Sequence, residues 1–314
     1  MQPASIEVLL AVYNGEPYLR DFLDSLFTQS CSDFRLIVSD NKSTDGTLAI
    51  LESYRSQFPD RITILPQPQR TVPAARNFAR VAEAASAPYT MFADADDVWH
   101  RDKIEKTLRT MQDAEARYGR ESPILVHSDL AIVGKDLAPI HPSYWSYQNI
   151  APMRTKLRHL LLRNCVTGCT AMMNGAMMAL ALPIPPEAPM HDYWCALNAA
   201  AFGHIIAIDE PLIDYRQHGG NDTGAAAWGA GFLVRRIRGQ LQTGRLHGSV
   251  RVKTAQAAAL LARHGARLTP EDWALTEAFA TLWQAGPLRR RLRLFRYRLW
   301  DDGVIRNIGL LLTL

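Results

Sequence analysis

Cysteine is scarce in this chain of 314 residues: four in all, Cys31, Cys165, Cys169 and Cys195, with no C-x-x-C pair among them. No signal peptide is visible either, so a disulfide framework is not expected, and reduced thiols in a cytoplasmic protein are. No apolar run reaches the ~20 residues that cross a bilayer; the C-terminal stretch Val304 to Leu314 is too short. A glycine-rich, Lys- or Arg-bearing phosphate loop is missing after the first strand-like run, where only Tyr13-Asn14-Gly15-Glu16 stands. That absence speaks against a nucleotidyltransferase. Acid is short at one end only. Residues 222–314 hold 15 Lys and Arg against 6 Asp and Glu, whereas residues 1–221 hold 20 against 25, so a tail of net +9 follows a body of net −5. No nucleic-acid reading motif accompanies the basic stretch, and no nucleic-acid partner is expected.

What is present is an alternation. Ile6 to Val12 is a β-rich run, and Glu16 to Gln29 carries helical spacing in Leu19, Phe22, Leu23, Leu26 and Phe27. Phe34 to Ser39 predicts a second strand and Ile62 to Leu65 a third, with helices from about Thr44 and over Pro73 to Ala85. Tyr89 to Ala93 is the fourth strand. Strand–helix alternation with short connections implies a doubly wound α/β sheet, mostly parallel, with right-handed crossovers. Strand ends bearing Asn14, Asp40 and Asp94 then line one edge, where open α/β sheets hold ligands.

The fourth strand ends on Asp94-Ala95-Asp96-Asp97, three carboxylates in four positions. Carboxylates this close repel one another unless a cation sits between them. Hard oxygen ligands suit Mg²⁺ or Mn²⁺, with positions left open for a phosphate. An acidic solvated turn, with an Asp capping the next helix, is the alternative reading of the motif taken alone.

Taken in order, Val8-Leu9-Leu10-Ala11-Val12-Tyr13-Asn14-Gly15, Val38-Ser39-Asp40-Asn41-Lys42-Ser43-Thr44-Asp45-Gly46-Thr47, Ala75-Arg76-Asn77 and Asp94-Ala95-Asp96-Asp97-Val98-Trp99 resemble the family 2 glycosyltransferases of GT-A fold. Val126-His127-Ser128-Asp129, Thr167-Gly168-Cys169, His191-Asp192-Tyr193-Trp194 and Tyr215-Arg216-Gln217-His218-Gly219-Gly220-Asn221 resemble a bacterial branch that includes many rhamnosyltransferases. The likeness covers roughly residues 5 to 222. One departure stands out: where the family often has Asp-Asp-Gly-Ser, this chain reads Asp40-Asn41-Lys42-Ser43.

The resemblance implies an inverting, metal-dependent transfer from a nucleotide-sugar, dTDP-rhamnose first and a UDP-hexose second, to a glycan or lipid-linked acceptor in bacterial surface polysaccharide synthesis. Val12, Asn14, Asp40, Arg76, Asp94 and Ala95 would bind the donor. Asp40 would accept the imide N–H of uracil or thymine, although an Asx-turn would also explain it. Asp45 has the setting of a helix start. Asp96 would hold the metal, with His218 completing the site or meeting the diphosphate. Asp97, Trp99, His191 and Trp194 would lie toward the acceptor or behind the site; a core tryptophan is the other reading of Trp99. Asp192, opening a helix after a proline-rich turn, would be the base that takes the acceptor hydroxyl's proton; capping that helix is compatible with the same role. A nucleotidyltransferase and a non-catalytic sugar-nucleotide binder are the remaining alternatives.

Residues 1–222 are therefore expected to form the catalytic domain and 223–314 a helical, basic extension. Its helices are predicted over Trp228 to Gln240, Val250 to His264 and Pro270 to Trp283, followed by the basic, aromatic stretch Leu288 to Trp300. Such a stretch suits an anionic membrane surface, so a peripheral position on the inner face of the cell membrane is expected. A helical cap packed on the catalytic domain is the alternative.

Overall fold

The computed structural model describes residues 4–219 and 245–314. The predicted helix over Trp228 to Gln240, the residues Gly220 and Asn221, and the expected domain boundary all lie outside the described residues. The first half runs β1 (Ile6–Val12), α1 (Leu19–Phe27), β2 (Phe34–Asp40), α2 (Thr47–Gln57), β3 (Ile62–Ile64), α3 (Ala74–Ala82) and β4 (Tyr89–Ala93). Then come β5 (Val98–Trp99), α4 (Lys103–Tyr118), β6 (Ile124–Val133), β7 (Pro139–His141), α5 (Tyr144–Gln148), α6 (Leu157–Leu160), β8 (Met172–Asn174), α7 (Gly175–Ala181), α8 (His191–Phe202) and β9 (His204–Arg216). The tail supplies α9 (Arg245–His264), α10 (Pro270–Ala280), α11 (Pro287–Arg296) and α12 (Val304–Thr313).

One sheet carries the fold, in the order β3-β2-β1-β4-β8-β6-β9-β5, with β7 on β6. β1 to β4 are parallel throughout. Beyond β4 the sheet is mixed: β8 is antiparallel to both β4 and β6, β5 is antiparallel to β9, and β6 runs parallel to β9. From β1 the chain winds outward through β2 and β3, then returns to set β4 on the other side of β1. The loops leaving β1 and β4 therefore diverge, and a crevice opens at their carboxyl ends.

The inner strands are apolar on both faces, as buried parallel strands must be. Leu9, Ile37 and Phe92 point to one face with α3, α7 and α8; Val8, Leu10, Val38 and Met91 point to the other with α1, α2 and α4. Glu7 is the exception on β1. Fully buried, it is held by Arg35 and by the amides of Ser86 (2.6 Å) and Ala87 (2.9 Å), and these bonds keep its carboxyl ionised against the cost of burial. α8 is buried around most of its circumference, so it runs through the core and presents only its N-terminus to the crevice.

The tail is not separate from this core. Val250, Leu260, Phe279, Leu294, Leu299 and Leu310 belong to the same apolar cluster as Leu9, Phe92 and Trp194. Two helix starts also differ from expectation. α1 begins at Leu19 rather than Glu16, because Tyr13 to Tyr18 turn through the crevice, Gly15 O accepting from the amides of Tyr18 and Leu19. α2 begins at Thr47 because Ser43 to Gly46 fasten the loop after β1, as shown below.

Candidate active site

A cavity of about 840 Å³ fills the crevice. Val12, Asn14 and Gly15 from the end of β1, and Asp94, Ala95 and Asp96 from the end of β4, line one wall. Tyr144, Ile150, Asn164, Cys165, Gly168 and Asp192 line the opposite one.

The first wall is set by short bonds between loops. Asn14 donates its amide to Ser43 Oγ (2.8 Å) and accepts from the Thr44 amide (2.8 Å), while Gly15 donates to Thr47 Oγ1 (2.8 Å). Asp45 accepts from the Thr47 amide (3.0 Å), a structural role as expected. The Asn41-Lys42 departure has a physical reason here. Asn41 receives the Val72 amide (2.9 Å) and donates to the Val72 carbonyl (2.8 Å), a two-way pairing that an ionised aspartate could not make; Lys42 reaches Gln69 O (3.0 Å). Asp40 lies outside the cavity lining. It is fully buried, and its carboxylate accepts from Ser43 Oγ and from Gln67 Nε2. Asp40 thus has a local structural role in holding Ser43 and Gln67, and a base contact would need Gln67 to move aside. Arg76 also lies outside the lining. It is exposed and donates to Ile184 O (3.3 Å), away from the acidic loop.

In the acidic motif Asp96 Oδ2 lies 2.9 Å from His218 Nε2, and the imidazole rests against Tyr18 at 4.6 Å between ring centroids. Buried Arg216 fastens the loop from behind, donating to Asp96 O (2.9 Å), Lys135 O (2.6 Å) and Asp21 Oδ2 (2.6 Å). Asp97 is sealed beneath; burial, then the charges of Asp96 and Asp94, push its carboxyl well above the usual range. Ligand atoms of Asp94, Asp97 and Cys169 lie within 4.8 Å of one another. The same burial keeps the Cys169 thiol protonated, which makes it a poor ligand for a hard cation. Two carboxylates on the cavity wall, with an imidazole 2.9 Å from one of them, are a donor set that fits a divalent cation at Asp94 and Asp96 beside His218. Below them Lys103 is fully buried, its ammonium 4.1 Å over the Trp99 ring, and burial brings its pKa down to about 7. Trp99 is thereby a core residue, edge-on to Phe22, and does not wall the cavity.

Asp192 opens α8 across the cavity. Its Oδ2 accepts from the Gly168 amide (3.1 Å) and its Oδ1 from the Tyr193 amide, and the nearby Asn164 side chain also favours the charged form. Burial nevertheless dominates and raises its pKa to about 7. Gly168 has to be glycine, since a Cβ there would stand 2.6 Å from His191 Nε2. His191 stacks on Phe78 (3.9 Å) and leans on Phe92 (4.3 Å), and burial lowers its pKa to about 3. It is a neutral spacer next to Asp192, not a proton carrier. Trp194 does not face the acceptor side: it is fully buried, and its indole N–H donates to Ala181 O (2.8 Å).

Val12, Asn14, Asp94, Ala95, Asp96, His191, Asp192 and His218 are therefore brought to one cavity, whereas Asp40, Arg76, Asp97, Trp99 and Trp194 lie outside its lining. The sequence reading gave no role to Asn164, Arg216 or Lys103. Only the Tyr-Arg-Gln-His string marked Arg216 at all.

A split parallel sheet with strand-end carboxylates facing a helix-borne aspartate is the architecture of GT-A glycosyltransferases, and solved structures share the fold. The first 349 residues of S. aureus TarS superpose with a TM-score of 0.57 at 15% identity, covering 93% of this chain and 72% of that one. The mannosyltransferase PcManGT from Pyrobaculum calidifontis, in complex with GDP-Man and Mn²⁺, gives a TM-score of 0.56 at 18% identity, over 98% of this chain and 79% of that one. The profile of glycosyl transferase family 2 matches residues 7–174, and the chain belongs to that family. Among relatives, the dTDP-rhamnosyl transferase RfbG of Shigella flexneri is 35% identical over 102 residues, which span 32% of this chain and 35% of that protein. The putative teichuronic acid biosynthesis glycosyltransferase TuaG of Bacillus subtilis (strain 168) is 27% identical over 67% of this chain and 78% of its own length. The chain is thus a glycosyltransferase, and the nucleotidyltransferase and non-catalytic alternatives fall away. No helix among the described residues is long and apolar enough to cross a membrane.

Proposed function

We propose that this glycosyltransferase is inverting and metal-dependent, and that it moves a sugar from a pyrimidine nucleoside diphosphate donor to a hydroxyl of a lipid-linked glycan. The observation that carries the reading is that Asp94, Asp96 and Asp192 all line one cavity. Val12, Asn14 and Ala95 line the nucleotide end, and Asp40 meets the base once Gln67 yields. Asp94 and Asp96, with His218 beside them, would hold a divalent cation, which would supply positive charge against that building on the leaving diphosphate. Asp192 accepts the proton of the acceptor hydroxyl, whose oxygen bonds to the anomeric carbon from the face opposite the diphosphate while the bond from that carbon to phosphate breaks. A base with a pKa near the working pH suits that task, and Asp192 has one. His191 and the aromatic pair Tyr144–Tyr215, 5.8 Å apart, shape the acceptor side.

dTDP-rhamnose is the leading donor, supported by the named activity of the Shigella relative, with UDP-hexoses second; bacterial surface polysaccharide is the corresponding product. The setting is the inner face of the cell membrane. α11 turns Leu288, Leu292 and Phe295 to solvent, 71%, 58% and 58% exposed, and α12 adds Val304 and Ile308. Arg289, Arg296 and Arg298 flank them, while Arg290, Arg291 and Arg293 are occupied by tail carbonyls. That mix of exposed apolar and basic side chains suits an anionic bilayer. The test is Asp192→Asn: donor binding is retained, and transfer falls by about 10²–10⁴-fold, the range for losing a general base. Transfer at the parent rate would place the base elsewhere. A thermal-shift screen with Mn²⁺ gives the donor, and stabilisation by GDP- or CMP-sugars alone would rule out a contact to the imide N–H of uracil or thymine.

A further inference from the structure

The turn between α11 and α12 grips the cavity's second wall from outside. Asp302 accepts from Arg154 and, at 3.4 Å, from the Ala151 amide, and it lies 3.8 Å from the Arg163 guanidinium. Asp301 accepts from Arg163 at 3.4 Å, and Trp300 O from Arg154 at 3.1 Å. Arg306 donates to Gln148 O (2.7 Å) and Asn149 O (2.9 Å). Two left-handed residues permit the close approach: Gly303 at φ 84° and Asn149 at φ 50°, with a Cβ on Gly303 standing 3.5 Å from Asn149 Nδ2.

The segments held in this way are the ones that face the cavity. Ile150 sits between the gripped residues Asn149 and Ala151, and Asn164 and Cys165 follow Arg163 directly; all three line the cavity. Asn164 in turn lies near enough to Asp192 to favour its charged form, and the same stretch runs on to Gly168, whose amide donates to the Asp192 carboxylate at 3.1 Å. The gap left at the junction is about 10 Å³, room for one water at most. Asp302 is only 13% exposed on its side chain, so the network is screened less than a surface ion pair would be.

We infer that Asp301 and Asp302 are positioning residues for the acceptor side: the tail braces the wall formed by residues 148–165, and so sets acceptor binding while leaving the donor wall alone. This rests on the assignment of that wall to the acceptor. The donor wall hangs on the β1 and β4 ends and on loops 41–47 and 67–72, none of which contributes to the junction.

Hydrogen exchange on the full chain tests the brace without reference to any substrate. In Asp302→Asn, and more so in Asp301→Asn/Asp302→Asn, amides of 148–166 should exchange at least tenfold faster, with those of β1 and β4 unchanged. Unchanged exchange at 148–166, or acceleration spread equally to β1 and β4, overturns the inference. The charge swap Arg154→Asp/Asp302→Arg should restore protection that either single swap loses; Arg154→Met probes the same link from the other side if the Asp302 variants fold poorly. With n-octyl glycosides as acceptors, KM for the acceptor should rise at least fivefold while donor KM stays within twofold. An equal change in both overturns the inference. Loosened 148–166 exchange with a parent-rate Asp192→Asn would instead leave the brace standing and remove the catalytic assignment.

Discussion

The two walls of the cavity are built by different means. The donor wall is made where parallel strands stop: Asn14 and Asp94 are each within two residues of a strand end, and short loops lock against one another over a few bonds. The acceptor wall has no strand ends of that kind. It consists of the chain from 149 to 168, irregular but for the short α6, and the first turn of α8, and it is tied to side chains more than 130 residues away, as in the 138-residue separation of Arg163 and Asp301. One wall is thus a product of topology and the other of long-range docking. A sheet edge tolerates little variation, whereas a docked wall can be reshaped without disturbing the strands.

The sharpest break of this contrast is Asp96→Ala. Nucleoside diphosphate binding enhanced by Mn²⁺ or Mg²⁺ should vanish in calorimetry, while Asp192→Asn on the other wall keeps it; unchanged metal-dependent affinity in folded Asp96→Ala would remove the cation assignment. Next in size is the pH profile. Asp192 must be ionised to accept a proton, so kcat/KM should fall about tenfold per pH unit below its pKa of about 7. Stability should move the other way. Because the folded pKa lies above the ordinary aspartate value, the contribution of Asp192 is fully present below about pH 4 and is lost as pH rises through about 7. Asp192→Asn should therefore raise the Tm relative to the parent at pH 8, with the gap closing toward pH 4.

Smaller still is Asn41→Asp, confined to the donor wall. Asn41 is 5% exposed, and losing its donor leaves the Val72 carbonyl unpaired against a new charge, so unfolding free energy should drop by about 1–3 kcal/mol. Exchange at 148–166 should not change. The mildest change is Leu292→Asp/Phe295→Asp on α11. Binding to anionic vesicles should weaken and become undetectable at high salt, with Tm and donor affinity unmoved. Retained vesicle binding would leave the exposed tail face without a role in docking.

The same contrast explains what the sequence disclosed. Strands β1 to β4 were legible because both faces are buried and each run is bounded by turn residues, and β4 falls on Tyr89 to Ala93 as read. Acids at those strand ends followed directly. Asp192 was legible as a helix start, but not its neighbour Asn164, since nothing local links residues 28 positions apart. Trp194 was misplaced toward the acceptor because α8 is apolar nearly all round, so sequence position beside Asp192 does not say which face a side chain takes. Asp40 was read for its strand-end position; the carboxamide of Gln67, which occupies it, comes from the far side of β3. The described helices of the tail were visible, but not that the arginines of α11 divide into exposed ones and ones that cap carbonyls.

The shared apolar cluster has a consequence for how the chain comes into being. When β9 has left the ribosome, every strand of the sheet is present, yet the face carrying α3, α7 and α8 still lacks Leu260, Phe279, Leu294 and Leu299. At ordinary rates of chain elongation those residues arrive on the order of ten seconds later. During that interval a nearly complete sheet exposes one greasy side. The nascent protein is then a substrate for chaperones and for unwanted self-association, and slowing translation between Arg216 and Leu299 should lower its soluble yield.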